Sequence, residues 1–212
     1  VQSRGLGDVY KRQIVMPITT PAIKVDSVKN YGGKVLLYGD TFDEAFDYAT
    51  SLAKKDGFTF IHPYDDLDVI VGQGTVGKEI FEEIGSSIDA VFVPVGGGGL
   101  LAGLGTYLKS VSPNTKIIGV EPEDAACLKL ALENNKRLAL KEVGLFADGV
   151  AVKQIGKKTF SLSKDWIDDV VTVSVDEMCA SVQDTFQETR IMSEPAGALA
   201  LAGLKKYVQS RG

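Results

Sequence analysis

Four consecutive glycines, Gly96-Gly97-Gly98-Gly99, separate a short apolar run from an apolar helical pattern. The run before them, residues 90–95, has the length and β-branching of a buried strand. Glycines in such a turn permit backbone conformations closed to other residues, and their N–H groups can point at an anion. The positive end of the following helix favours the same charge. The pattern predicts a phosphate site, although tight packing alone also selects glycine-rich turns.

The glycine run differs from the two common nucleotide-binding turns. No Lys-Ser or Lys-Thr pair follows it, as a nucleotide P-loop requires. Its uninterrupted glycines also fit the spaced GxGxxG dinucleotide turn poorly. Neither nucleotide-binding pattern therefore explains this turn.

A second group of polar side chains lies upstream, at residues 62–68. His62, the only histidine, precedes a proline at the end of an apolar run, which favours a structural imidazole over a catalytic base. Asp65, Asp66 and Asp68 could together suggest a metal site. Loop capping and solvation are the favoured explanation, because acidic residues commonly precede helices.

Composition limits the classes of function. The chain has 212 residues and a net charge of −5, which argues against nucleic acid or an anionic membrane as the main partner. Cys127 and Cys179 lack metal-ligand spacing, which favours a reduced compartment over a disulfide framework. No apolar run approaches membrane-spanning length and no signal peptide is recognisable, so the cytoplasm is the expected location.

Both ends of the chain carry the pentapeptide VQSRG, at residues 1–5 and 208–212. Residues 6–13, LGDVYKRQ, resemble translated adaptor sequence. Segments 1–13 and 208–212 are therefore interpreted as foreign linker-like ends and excluded from the fold prediction. The remaining protein is expected to be a piece cut at both ends.

Strand and helix patterns alternate through the rest of the chain, which predicts an α/β fold with parallel strands and right-handed crossovers. Strands are predicted at 14–17, 34–38, 58–61, 90–95, 116–120 and 169–173. Helices are predicted at about 20–30, 42–56, 69–84, 100–108, 125–133 and 195–207, and a further helix is predicted to start after Ser174.

Helix starts carry recognisable signals. Thr20 is placed to cap the first helix, and Thr41 and Ser174 each begin a capping box with a glutamate three residues later. The helix after Ser174 is predicted to bury one stripe of side chains. That stripe consists of Met178, Cys179, Val182 and Phe186.

Several sequence blocks, in order, resemble the threonine ammonia-lyases (threonine dehydratases) of the biosynthetic type. The blocks are residues 14–17, 24–26, 71–75 (VGQGT), 93–101 (VPVGGGGLL), 119–128 (GVEPEDAACL), 144–153 (GLFADGVAVK) and 193–203 (SEPAGALALAG). The resemblance covers essentially residues 14–207. It implies a fold-type II pyridoxal phosphate enzyme, similar to the tryptophan synthase β-subunit.

The resemblance also implies a division into two α/β domains. Residues 14–61 would be part of a small domain, and residues 62–207 part of a large pyridoxal phosphate-binding domain. The cofactor would lie in the cleft between them. For the cofactor phosphate, the resemblance assigns the backbone amides of Gly96, Gly97, Gly98, Gly99 and Leu100.

Three further cofactor-binding residues follow from the resemblance. The Asp148-Gly149-Val150 loop would pass beside the cofactor ring, and Glu194 would sit near the ring edge. For Glu194 an alternative stays open, because a carboxylate before Pro195 also stabilises a helix N-terminus.

The implied reaction is deamination of L-threonine to 2-oxobutanoate and ammonia, with L-serine giving pyruvate as a lesser reaction. This lyase reaction is the first step of isoleucine biosynthesis. In the family, the lysine that forms the Schiff base lies in a Ser-x-x-Lys-x-Arg-Gly context, which no lysine of this chain shares. No catalytic residue is therefore assigned, and the chain alone is expected to be inactive. The family also implies amino-acid substrates and a homo-tetramer.

One motif differs from related serine racemases, which hold a divalent cation with a glutamate, a carbonyl and an aspartate. Glu121 and Ala125 match the first two ligands, but the third position is Cys127. Because Mg²⁺ and Ca²⁺ prefer oxygen ligands, no metal site is expected. This difference favours the biosynthetic dehydratases. A serine dehydratase or racemase of the same fold, and a non-catalytic phosphate-binding α/β module, are the alternatives.

Overall fold

A computed structural model describes residues 12–211, with side chains through Ser210. The described chain forms two compact units, which divide between Ile61 and His62. Parallel strands and flanking helices make up both units, so the predicted α/β class is confirmed. Among the described residues, no helix has the length and apolar character needed to cross a membrane.

The first unit contains two parallel strands and two helices. Strand β1 (Gln13–Met16) pairs with β2 (Lys34–Leu37), and α1 (Ala22–Asn30) connects them. Helix α2 (Phe42–Asp56) starts at the predicted capping box, where Thr41 accepts from the Glu44 N–H. The helix ends at Gly57, whose φ of 71° is a left-handed conformation that favours glycine.

The second unit is built on a three-stranded parallel sheet with strand order β3-β4-β5. Its strands are β3 (Ala90–Pro94), β4 (Lys116–Pro122) and β5 (Asp169–Val173). Its helices are α3 (Leu67–Ile84), α4 (Gly99–Val111), α5 (Cys127–Glu133), α6 (Lys157–Ser163), α7 (Val175–Thr189) and α8 (Pro195–Arg211). Short 3-10 turns span Glu123–Ala125 and Asp148–Val150.

Helices α3 and α4 approach each other through glycines. A Cβ atom on Gly103 would collide with the carbonyl oxygen of Ile70 and lie 2.7 Å from the Gly74 nitrogen. One turn along α3, a Cβ on Gly77 would lie 2.9 Å from the Leu104 carbonyl oxygen. Because backbone faces backbone here, no side-chain rotation could relieve these contacts. This packing fixes α4, and with it the glycine turn at its start.

Several predicted elements differ from the structure. Residues 58–61 form no strand, and α1 has Pro21 rather than Thr20 at its N-cap, without a side-chain hydrogen bond. On α7, Met178 is buried as predicted, but Cys179 and Phe186 are exposed. The apolar type of these two residues therefore does not place them in the core.

Two further differences concern helix boundaries. Helix α6 was not predicted, because its short sequence, KKTFSLS, lacks a clear apolar period. Helix α8 continues to Arg211, beyond the predicted end near Tyr207. The prediction of a foreign N-terminal segment falls on residues 1–13, of which 1–11 lie outside the described part of the chain.

Candidate functional site

The glycine run forms the turn from β3 into α4. Gly98 is the N-cap of α4 and has a φ of 88°, in the left-handed region. A Cβ atom on Gly98 would lie 2.6 Å from Cδ1 of Ile155, and one on Gly96 would lie 2.9 Å from the Val150 Cα. A Cβ on Gly97 would collide with the ring of Tyr64. Glycine is therefore required at all three positions.

The carbonyl groups of the turn are bound by the protein. The Gly97 carbonyl accepts from the Gly156 N–H (3.1 Å) and from the Thr159 hydroxyl (2.8 Å). The Gly98 carbonyl accepts from the Ala102 N–H at 2.9 Å. The carbonyl oxygens are therefore held in fixed directions by neighbouring elements.

The N–H groups of the same turn remain open. Within residues 12–211, none of the N–H groups of residues 96–100 donates a hydrogen bond to the chain. Several unpaired donors at a helix start form an arrangement that suits an anion. The turn thus fits a phosphate group in its donors, and its glycines add no side chains of their own.

The remaining predicted cofactor-binding residues lie close to one another. Val150, which is buried in the turn Asp148–Val150, packs against Gly96. A Cβ on the neighbouring Gly149 would lie 3.1 Å from the Ala196 Cβ and 3.4 Å from Oε1 of Glu194. The structure thus brings together the glycine turn, the 148–150 loop and the start of α8. Leu100, in the first turn of α4, is half-buried against the core.

His62 has a structural position. Its Nδ1 accepts hydrogen bonds from the N–H groups of Tyr64 (3.3 Å) and Asp65 (2.9 Å). Burial of the imidazole has the largest effect on the pKa of His62 and lowers it. The negative charges of Asp65 and Asp66 act in the opposite direction and are weaker. The uncharged ring therefore closes the 62–65 turn, which is the role that the sequence favours.

Two of the aspartates after His62 cap helices, as predicted, but each caps a different helix. Asp66 is the N-cap of α3 and accepts from the Asp68 N–H. Asp65 instead accepts from three N–H groups at the start of α6, those of Lys157, Lys158 and Thr159. The sequence offers no signal for this second cap, because α6 lies more than ninety residues away and was not predicted.

A buried carboxylate lies behind the glycine turn. Glu121, at the end of β4, has no exposed surface, and its oxygens accept from the N–H groups of Leu128 (2.7 Å) and Lys129 (2.9 Å). Burial raises the pKa of Glu121 to about 7 despite these hydrogen bonds. The sulfur of Cys127 is 3.4 Å from the Gly96 carbonyl oxygen, and burial raises the pKa of its thiol.

Glu121 gives the protein a pH-dependent stability. Because the folded state holds this proton more tightly than the unfolded chain, the stabilisation is complete below about pH 4.5 and is lost as the pH rises through about 7. Between these two pH values the wild-type protein is expected to lose on the order of 3 kcal/mol of unfolding free energy, since each tenfold change in proton affinity is worth about 1.4 kcal/mol. The glutamine of Glu121→Gln does not titrate, so the variant should not show this loss. Urea unfolding at pH 4.5 and pH 8 measures the difference.

Glu133→Gln, at the exposed end of α5, is the matched control and should retain the wild-type pH dependence. Equal pH dependence in the wild type and Glu121→Gln would show that folding does not raise the pKa of Glu121.

The glutamate that resembles a cation ligand is engaged in hydrogen bonds within the chain. Both oxygens of Glu121 accept from α5, and Cys127 provides sulfur where the racemase pattern has an aspartate. In the described part of the chain, no group of three or more histidine, cysteine, aspartate or glutamate side chains is placed to hold a metal. The absence of a cation in solution stays a prediction.

A comparison with family models matches residues 3–212 to the model described as pyridoxal-phosphate dependent enzyme. The chain belongs to this family. Enzymes of the family use pyridoxal phosphate, and the open N–H groups of the glycine turn fit its phosphate. The predicted cofactor is therefore supported by the family and by the geometry.

Individual relatives show which type of enzyme within the family is similar to this chain. The chain is 56% identical to threonine dehydratase 1 biosynthetic, chloroplastic, from Solanum lycopersicum, over 94% of this chain and 33% of that protein. The chain thus spans about a third of the length of this relative. The predicted resemblance to biosynthetic threonine dehydratases is confirmed.

Solved structures agree with this similarity. The processed form of threonine deaminase isoform 2 from Solanum lycopersicum matches with a TM-score of 0.89 and 49% identity, over 95% of this chain and 55% of that one. Serine racemase from Dictyostelium discoideum matches with a TM-score of 0.81 and 31% identity, over 95% and 64%. The fold-type II architecture predicted from the sequence is confirmed.

Proposed function

We propose that the chain is part of a biosynthetic threonine ammonia-lyase, which deaminates L-threonine to 2-oxobutanoate and ammonia. L-Serine would give pyruvate in a lesser reaction, and the main reaction would begin isoleucine synthesis. The observation that carries this proposal is the 56% identity to a biosynthetic threonine dehydratase over nearly the whole chain. The glycine turn, with donors open to a phosphate, supports the use of the cofactor.

In this proposal the glycine turn binds the cofactor phosphate. The N–H donors are those of Gly96, Gly97, Gly98, Gly99 and Leu100. When bound, pyridoxal phosphate supplies an electron sink for the negative charge that forms on the substrate. The work of this chain is to hold and orient the phosphate through these N–H donors.

The other assigned residues would border the cofactor ring. Gly149 and Val150 lie beside the turn, and Glu194 lies beside Gly149. Residues 14–61 would belong to the small domain and residues 62–207 to the cofactor-binding domain. The catalytic lysine would come from the remaining two thirds of the whole enzyme, which we propose to be a homo-tetramer. A cytoplasmic location stays a prediction.

A chimeric enzyme tests the proposal. Residues 14–207 would replace the matching segment of the tomato threonine dehydratase, so that the relative supplies its own lysine and remaining sequence. We expect the chimera to form 2-oxobutanoate from L-threonine with a higher kcat/KM than it forms pyruvate from L-serine. A hydrazine derivative of each 2-oxo acid, followed by its absorbance, gives both rates.

The same assay distinguishes the alternatives. The similarity to serine racemase favours that enzyme as the second candidate. A chimera that converts L-serine to D-serine and leaves L-threonine unchanged would support the racemase and contradict the dehydratase. A folded chimera that binds pyridoxal phosphate no better than inorganic phosphate would instead support a non-catalytic phosphate-binding module.

A further inference from the structure

Asp65 connects the 62–68 loop to the start of α6. Its Oδ2 accepts from the Lys157 N–H at 2.9 Å, and its Oδ1 accepts from Lys158 at 2.7 Å and Thr159 at 3.2 Å. A Cβ on Gly156 would lie 2.6 Å from Oδ1, so the glycine there permits the close approach. Three charge-assisted hydrogen bonds make this carboxylate a strong determinant of where α6 begins.

The start of α6 in turn holds the glycine turn. The Gly156 N–H and the buried Thr159 hydroxyl both donate to the Gly97 carbonyl oxygen, at 3.1 and 2.8 Å. Thr159 is thus bound by Asp65 through its N–H and binds Gly97 through its side chain. Asp65 and Gly97 are therefore connected through a single residue.

The direction of the Gly97 carbonyl decides where a neighbouring donor points. A peptide group is planar and trans, so the carbonyl of Gly97 and the N–H of Gly98 point in opposite directions. With the carbonyl held by α6, the Gly98 N–H must face away from α6. That N–H is one of the open donors of the turn.

We propose that Asp65 is a positioning residue for the phosphate cradle, acting through the start of α6 and the Gly97 carbonyl. The inference rests on the proposed function, in which the turn binds the phosphate of pyridoxal phosphate. Asp65 touches neither the cofactor nor the substrate in this role. It fixes the donor direction on which phosphate affinity depends.

The sign of the effect separates positioning from simple electrostatics. A carboxylate near an anion site repels the anion, so removing its charge alone would strengthen phosphate binding. Loss of the α6 cap would release the Gly97 carbonyl and misdirect the Gly98 N–H, which weakens phosphate binding. The two effects have opposite signs, and the proposal requires the second to dominate.

The experiment measures how strongly the purified chain prefers pyridoxal phosphate over pyridoxal, which lacks the phosphate. We expect Asp65→Ala to lower this ratio of affinities about 10-fold, and Asp65→Asn, which keeps one acceptor oxygen, about 3-fold. The ³¹P chemical shift of the bound cofactor should change in the same order, and circular dichroism verifies the fold.

The neighbouring Asp66 provides the matched control. Asp66→Ala and Asp66→Asn remove the same charge from the cap of α3 and should leave the ratio within about 2-fold of the wild type. If Asp65→Asn and Asp65→Ala retain or raise the ratio, the positioning role is wrong while the proposed function stands. If the wild-type chain itself shows no preference for pyridoxal phosphate, the positioning role is wrong, and the 2-oxobutanoate assay of the chimera decides the proposed function separately.

Discussion

Gly98→Ala is expected to weaken the binding of pyridoxal phosphate about 100-fold. At a φ of 88° an alanine is strained, and its Cβ would lie 2.6 Å from the buried Ile155 side chain and 3.0 Å from the Thr159 hydroxyl oxygen. The turn must shift to admit it, and a 100-fold loss of affinity, about 2.8 kcal/mol, corresponds to the loss of one or two hydrogen bonds to a charged group. Equilibrium titration of the chain with the cofactor, followed by absorbance, measures the change.

Gly72→Ala is the matched control for this experiment. Gly72 lies in α3, with no atom within 4 Å of an added Cβ, and should leave cofactor affinity unchanged. Pyridoxal provides a second comparison, because without the phosphate it should bind to Gly98→Ala and wild type equally. Wild-type affinity of Gly98→Ala for pyridoxal phosphate would contradict the assignment of the turn as the phosphate site.

Gly103→Ala is expected to destabilise the folded protein by about 3 kcal/mol, the upper part of the usual range for overpacking. The added methyl group would meet the Ile70 carbonyl oxygen and the Gly74 nitrogen, both backbone atoms of α3. Separation of α3 from α4 is the only way to make room, and it exposes the apolar side chains between the two helices. The midpoint of urea unfolding measures the loss.

The Gly72→Ala variant again gives the comparison, with the opposite sign. In an open position of the same helix, alanine should stabilise the protein by about 0.5–1 kcal/mol, because glycine loses more backbone freedom on folding. If Gly103→Ala and Gly72→Ala unfold at the same urea concentration, the close approach of α3 and α4 does not limit stability.

Local signals in the sequence predicted most of the fold correctly. The capping boxes at Thr41 and Ser174 mark helix starts to the residue, because the side chain and the backbone that it caps are three positions apart. The predictions of a strand at 58–61 and of a buried Cys179 were wrong, because the apolar type of a residue does not specify what it packs against. Helix α6 was missed because its sequence lacks a clear apolar period and the carboxylate that caps it, Asp65, is distant in the sequence.

The candidate site could be predicted only in part, because some of its contacts join residues that are distant in the sequence. The glycine run is contiguous, so its position between β3 and α4 follows from the sequence. The approach of Val150 to Gly96 joins segments more than fifty residues apart, and only the resemblance suggested it. The sequence matched Glu121 to a racemase cation ligand, but its burial and its elevated pKa depend on the packing of β4 and α5.

In the glycine turn the carbonyl groups are hydrogen-bonded by the chain and the N–H groups are open. This difference affects the choice of buffer for the protein. The carbonyl oxygens of Gly96, Gly97 and Gly98 are all engaged by the chain, whereas the adjacent N–H groups are not. Sulfate and phosphate buffers are therefore expected to compete for the turn. Exchange of sodium for potassium should have little effect, because the open groups of the turn are hydrogen-bond donors, which do not coordinate cations. Preparations in ammonium sulfate would thus start with the turn already filled.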